Sequence, residues 1–372
     1  MCYTFSMLYS RKNIILHHFL SIPGIGGKAL RSFSQSLQND ISLSALEKLL
    51  EKTDLPEKKR LLLKNAIQTF NETLLSEELA RYEIHLISQE DDFYPPLLRE
   101  ISDAPPLLYA RGSLQVLIEK NPIALVGTRR PTRYGIDIAR SLGRELAFAG
   151  IPTVSGMALG LDGESHRGTL EGKGHTIAVL GNGLADSCIA PRSHFSLMKQ
   201  IILSGGCIIS EFPPQTEASI GTFPARNRII AGICRALVVI EAAHISGTLI
   251  TARLALDYNR EVFAVPGSIF SKLSEGSHTL IRSGASLITN VKDIIETLDL
   301  QETLSFSNPK ALSEDLSREE HLVLRSLEDG PKSRQEILTA SQLEAHQLSI
   351  HLTMLEMNGC IKDMGNGLYR KM

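Results

Sequence analysis

The chain has 372 residues, more than a single core of roughly 150 residues needs, so two or three domains are expected. Apolar residues make up 43% and charged residues 22%, which excludes a disordered tail or a fibre. The formal charge is −2, so the molecule as a whole gives no electrostatic pointer to nucleic acid.

The five cysteines (Cys2, Cys188, Cys207, Cys234 and Cys360) are scattered and form no CxxC. That argues against a zinc finger, an iron–sulfur site or a disulfide scaffold and favours a reducing compartment. No stretch reaches 18 consecutive apolar residues, so no membrane span is expected. The first twenty residues carry Arg11, Lys12, His17 and His18 without a long apolar run and do not read as a signal peptide. A cytoplasmic protein is expected, with no membrane partner.

Residues 1–80 read as a helical domain. Its first 75 residues carry ten Lys and Arg against six Asp and Glu. Between two helical patterns lies Ser21-Ile22-Pro23-Gly24-Ile25-Gly26-Gly27-Lys28. This resembles a helix-hairpin-helix turn, in which glycines let amides at a helix N-terminus approach a DNA phosphate. Gly24, Gly26 and Lys28 are then secondary DNA contacts, with Arg31 nearby. The other reading is a plain helix–helix turn whose glycines serve geometry alone.

The core is expected over residues 81–304 and the linker and last domain over 305–372. Tyr94-Pro95-Pro96 and Ala104-Pro105-Pro106 precede the core strands, and Ser305-Phe306-Ser307-Asn308-Pro309 reads as the linker. Twenty of the 28 glycines lie between residues 121 and 290. Apolar runs at Ile123–Val126, Ile151–Val154, Thr176–Leu180, Cys207–Ile209, Ala236–Ile240 and Val262–Val265 alternate with helix-length segments. Such runs predict buried parallel strands in a βαβ series. The fold class is α/β: a Rossmann-like, doubly wound, mostly parallel sheet that binds ligands beyond the carboxyl ends of its strands.

The first of these strands leads into Gly127-Thr128-Arg129-Arg130-Pro131-Thr132, with a helix starting near Tyr134. The glycine spacing of a dinucleotide fingerprint is missing, and the absence of GxxxxGK[ST] excludes a P-loop. A hydroxyl, backbone amides and Arg129 at a helix N-terminus make a single-phosphate cradle. The alternative is an Arg129 that caps or bridges on the surface. The second strand leads into Ser155-Gly156-Met157-Ala158-Leu159-Gly160-Leu161-Asp162 and the third into Gly181-Asn182-Gly183. Gly156, Gly181 and Gly183 thus stand at strand-to-helix switches on one rim. Asp162 is expected to be an N-cap and His166 to be structural.

After the fourth strand and Glu211-Phe212-Pro213-Pro214 comes Thr222-Phe223-Pro224-Ala225-Arg226-Asn227-Arg228. Guanidinium groups reach phosphates, and Phe223 can stack on an unpaired base. The competing reading is a buried arginine network closed by Glu211 or Glu241; only one arginine needs to face a ligand. Ser246-Gly247-Thr248 at the next helix start is a further anion site.

In this order the segments resemble the DprA/Smf family of bacterial DNA-processing proteins. The resemblance covers about residues 95–295 and includes Phe263-Ala264-Val265-Pro266-Gly267. It implies a homodimer that binds single-stranded DNA and loads the recombinase RecA in natural transformation and recombination. It implies no catalytic residue, metal or cofactor. The family's Gly-Ser-Arg element falls on Gly127-Thr128-Arg129, where Thr128 keeps the hydroxyl. The resemblance also brings Arg226, Asn227 and Arg228 near the same pocket. Leu159 stands where the family has Arg, which removes one positive charge, and residues 185–192 are an altered form of its Asp-x-x-Tyr-Pro stretch.

Helical patterns at Glu319–Leu327, Ser333–Thr339 and Leu343–Met357 precede a two-stranded wing with a Gly365-Asn366-Gly367 turn, a winged-helix-like pattern. The third helix carries Glu344 and Glu356 and no Lys or Arg, which favours a protein-contact or dimer role over reading a DNA groove as a transcription factor does. The alternative function for the chain is a nucleotide-processing enzyme related to phosphoribohydrolases. Those carry a Pro-Gly-Gly-x-Gly-Thr-x-x-Glu element, whereas here Ala252 follows Thr251 after Ser246-Gly247-Thr248.

Overall fold

The computed structural model describes residues 9–219, 221–300, 317–357, 360–365 and 367–371. The expected linker over residues 305–309, and Gly359 and Asn366 of the expected wing, lie outside the described residues. The chain divides into two compact units, Met1–Ser305 and Phe306–Met372.

The first unit opens with five helices: α1 (Arg11–Leu20), α2 (Gly27–Ser36), α3 (Leu43–Glu51), α4 (Glu57–Ile67) and α5 (Glu72–Arg81). Nine strands follow: β1 (His85–Ser88), β2 (Leu107–Gly112), β3 (Ile123–Val126), β4 (Thr153–Ser155), β5 (Thr176–Val179), β6 (Cys207–Ser210), β7 (Ala236–Val239), β8 (Glu261–Ala264) and β9 (Ser286–Leu287). They form one sheet in the order β1-β2-β6-β5-β4-β3-β7-β8-β9. The strands from β6 to β9 are all parallel to their neighbours, and β2 joins β6 antiparallel. All six apolar runs are strands. Every residue of β3, β5, β6 and β7 is buried, because helices cover both faces, so these strands show no polar alternation.

The order reverses between β3 and β7. Chain progress from β3 to β6 moves one way across the sheet, and from β7 to β9 the other. Such a switch point leaves a crevice at the carboxyl ends, where adjacent loops part.

The connecting helices are α6 (Pro96–Arg99), α7 (Arg133–Phe148), α8 (Leu161–Glu171), α9 (Phe195–Leu203), α10 (Thr222–Ile233), α11 (Gly247–Asp257), α12 (Glu275–Arg282) and α13 (Val291–Thr297). Thr132 caps α7, its hydroxyl accepting from the Gly135 amide at 3.1 Å. Helices α7 and α8 touch backbone to backbone at two glycines. A methyl group at Gly168 would lie 2.3 Å from the Arg140 carbonyl oxygen, and one at Gly143 would lie 2.6 Å from that of Ser165.

The N-terminal helices share a hydrophobic core with one sheet face, where Phe19, Phe33 and Leu63 join Tyr109, Leu180, Met198 and Ile208. His17 stands at this junction, 2% exposed, with Nδ1 at 3.0 Å from the Tyr109 hydroxyl. Burial lowers its pKa from 6.5 to about 4. His166, fully buried on α8 against the Thr176 hydroxyl at 2.7 Å, is lowered from 6.5 to about 3 by the same cause.

The second unit contains α14 (Arg318–Ser326), β10 (Lys332–Ser333), α15 (Arg334–Ser341), α16 (Ala345–Met357), β11 (Ile361–Asp363) and β12 (Leu368–Lys371). Its sheet order is β10-β12-β11, and Val323, Ile337, Leu348, Leu352 and Leu355 form its core. This is a winged helix.

Gly168→Ala should lower stability by roughly 1–3 kcal/mol, because two backbones must separate. A thermal melt reads this as about 2–4 °C per kcal/mol. The two histidines set an acid limit. Both are neutral in the fold, so the unfolded chain gains protons below pH 6.5 that the fold refuses until about pH 4 for His17 and about pH 3 for His166. Their stability contribution is complete above 6.5 and falls as pH drops through that window, by roughly 1.4 kcal/mol per pH unit for each group. Urea midpoints should therefore be lower at pH 5 than at pH 7.5, and His17→Gln should reduce the difference.

Candidate nucleic-acid interface

A cavity of about 470 Å³ occupies the switch point. The loop after β3 gives it Gly127, Thr128 and Arg129, α10 gives Arg226 and Asn227, and the start of α11 gives Ser246, Gly247 and Thr248. Eight predicted site residues thus line one space.

The β3 loop is pinned to the end of β7. The Thr128 amide donates to the Glu241 carbonyl at 2.9 Å. The buried Glu241 carboxylate accepts from the Thr132 amide at 3.0 Å and from its hydroxyl at 2.5 Å. Glu241 is therefore a loop anchor and not an arginine partner. Gly127 has no room for a side chain: a methyl group there would meet Leu161 Cδ1 at 2.3 Å. Arg129 is exposed at the mouth, its guanidinium 5.1 Å from the Phe223 ring centroid. Among the described residues it has no carboxylate within ion-pair distance.

Arg226 is 3% exposed. Its Nη1 donates to the Gly156 carbonyl at 2.5 Å and to the Val179 carbonyl, which ties the ends of β4 and β5 to α10. Gly156 is obligatory here, because a methyl group would lie 2.1 Å from that Nη1. Burial pulls the Arg226 pKa down to about 10, opposed by the nearby Asp162 charge. Burial likewise raises the Asp162 pKa, opposed by Arg226 and more weakly by Arg129. Asp162 is not the N-cap. Gly160 holds that place with φ +82, and Asp162 lies in the first turn of α8, its Oδ2 3.4 Å from the Ala158 amide. The chain turns too sharply at Gly160 for a residue with a Cβ: one there would lie 2.5 Å from the Thr128 carbonyl oxygen.

Arg228 leaves the cavity. It pairs with Glu211 and lies 3.6 Å from Asp103, so of the two proposed acids Glu211 closes this network. Gly181 packs beneath Phe223, and Gly183 is buried under the carbonyls of Pro213 and Pro214. Both make room for neighbouring loops without lining the cavity. Ser246 caps α11, its hydroxyl 3.4 Å from the Leu249 amide, which leaves the first amides of the helix at the cavity. Leu159 is 49% exposed on the same rim.

The hairpin stands apart. Gly24 turns at φ +86, Gly26 is the N-cap of α2, and Gly24, Gly26 and Lys28 are exposed. Gly24 and Gly26 border the loop after β6, three strands and about 14 Å from β3.

One cationic group on the rim was not foreseen. Arg192 and the Lys199 ammonium lie 4.4 and 4.8 Å from the Phe195 ring centroid, both exposed and without a carboxylate partner among the described residues. The signal was present: Phe195 and Lys199 are four apart on a helix, so they share a face.

The family model for DNA recombination-mediator protein A matches residues 85–299, and that for the DprA winged helix domain matches residues 307–367. Protein Smf of Escherichia coli is 44% identical over 214 residues, which are 58% of this chain and 56% of that protein. The match thus spans little more than half of its length. DNA processing protein DprA of Bacillus subtilis is 38% identical over 262 residues, 70% of this chain and 87% of that one. The crystal structure of DprA from Streptococcus pneumoniae has 31% identity and a TM-score of 0.64, covering 76% of this chain and 97% of its own. DprA from Helicobacter pylori, solved in work on its single-stranded DNA binding mode, has 30% identity and a TM-score of 0.53, covering 60% and 97%. The α/β sheet and the winged helix agree with these matches, and the chain belongs to the DprA/Smf family.

Proposed function

We propose that the chain binds single-stranded DNA and loads the RecA recombinase onto it in natural transformation and homologous recombination, as a homodimer and without a catalytic step. The observation that carries this reading is Arg129: an exposed cation with no carboxylate partner among the described residues, beside an aromatic ring, facing the open start of α11 across the switch-point cavity. A phosphate meets a guanidinium, helix amides and hydroxyls there, and an unpaired base has Phe223 to stack on. That H. pylori DprA binds single-stranded DNA supports the reading. The winged-helix unit takes a protein-contact or dimer role: α16 has no Lys or Arg and exposes Ile350 and Met354.

The arginines then divide into one contact and two supports. Arg129→Ala should weaken oligo-dT binding at least tenfold at moderate salt with little change in melting temperature, measured by fluorescence anisotropy beside a melt. Unchanged binding would remove Arg129 from the site. Arg226→Ala should instead cost about 3 kcal/mol or more in stability, because it empties a buried cation position between two carbonyls. Incubation with nucleoside monophosphates should release no free base.

A further inference from the structure

The rim carries a second exposed ring, on the opposite side of the cavity from Phe223. The loop between β8 and α12 places Phe270 at its tip, 92% exposed, beside Ile269 at 79%. Both ends of the loop are pinned. Its Pro266 carbonyl accepts from the Tyr134 hydroxyl at 2.8 Å, its Gly267 carbonyl from His278 Nε2 at 3.1 Å, and its Leu273 carbonyl from the Ala242 amide at 2.8 Å. Within the tip, the Phe270 amide donates to the Ser268 hydroxyl at 3.3 Å. A loop held in this way keeps its ring in water and forgoes the gain of burying it. A ring already fixed outside the fold loses little freedom when a flat partner stacks on it.

The place of this tip on the rim names the partner. Leu273, three residues beyond Phe270, lines the switch-point cavity together with Arg129 and Arg130. Arg130 is exposed and, among the described residues, has no carboxylate within ion-pair distance. From Pro266 to Ser274 the chain has Lys272 and no Asp or Glu, so nothing on the loop itself repels a phosphate. Across the sheet the strands run β5, β4, β3, β7, β8. Phe223 stands over Gly181 at the end of β5, the two arginines follow β3, and Phe270 follows β8. At about 4.8 Å per strand, this row is about 19 Å long with its cations midway. A ring, two cations and a second ring along one edge form a groove that tracks a single strand. A protein partner suits the tip less. A stable interface covers about 800 Å² on each side, and here two apolar side chains stand between Ser268, Ser271 and Lys272.

We infer that Phe270 is a second stacking platform for an unpaired base. The bound strand runs along the rim from Phe223, past Arg129 and Arg130, and lays a further base on the Phe270 ring. Stacking uses the face that every base has, so this subsite takes any base. The inference rests on the reading of the chain as a single-stranded DNA binder and lengthens the track that the strand follows.

The chain has no tryptophan, so Phe270→Trp places a single fluorescent reporter at the tip. Its emission should be quenched saturably by oligo-dT, in step with binding followed by anisotropy. Phe270→Ala in the full chain should weaken oligo-dT at least about fivefold and leave the salt dependence unchanged, because a stack is lost and no phosphate contact. Its melting temperature should stay at the wild-type value, since the ring is exposed. A reporter that binding does not quench, or an alanine variant with wild-type affinity, would overturn the platform. So would reporter emission that changes with protein concentration in the absence of DNA, which would put a second copy on the tip. If Arg129→Ala still weakens binding in those cases, the first reading stands alone. If the wild type binds no oligomer, both fall.

Discussion

A single buried cation organises the rim. Arg226 carries its charge into a 3% exposed position and anchors it on two strand-end carbonyls, one from β4 and one from β5. A buried guanidinium is tolerated only where its donors find acceptors and a negative charge stands close, and Asp162 provides that charge. This fixes the rotation and height of α10 against the sheet. Phe223, one turn earlier on the same helix, is thereby set at the cavity edge, within reach of Arg129.

The charges of the rim are sorted by depth. Arg226 and Arg228 are committed to carbonyls and carboxylates inside the molecule, whereas Arg129, Arg192 and Lys199 stay in solvent beside aromatic rings. A chain with net charge −2 can therefore hold a local cationic edge. Acidic residues elsewhere in the chain balance the sum. The anchoring of the Arg129 loop is not cationic. Glu241 holds it through Thr128 and Thr132, so the phosphate cradle does not collapse into an ion pair with its own support.

The helical segment is part of the same body. Its residues share a core with Tyr109, Leu180 and Ile208, and the His17–Tyr109 contact crosses that junction. The hairpin glycines are thereby held against the loop after β6, and a local sequence motif gains a second wall that its own residues do not supply.

Much of this was legible in the residues. The six parallel strands were, because strands covered on both faces must be apolar throughout, and so were the glycines at their ends. The winged helix was legible from helical spacing. Strands β1 and β2 were not: they flank a proline-rich segment, β1 is the sheet edge, and β2 joins the sheet by pairing with β6, whose residues are about a hundred positions away. Asp162 read as an N-cap because its type suits one, but Gly160 takes the turn with a positive φ closed to other residues. The arginine pair marks the boundary most clearly. Spacing put Arg226 and Arg228 on one helix, and at about 100° per residue they diverge by roughly 200°. Residue types and order therefore determined that one guanidinium would point in and one away. Which did so depended on how α10 rolls against β4 and β5, and that is set by close packing among segments distant in the chain.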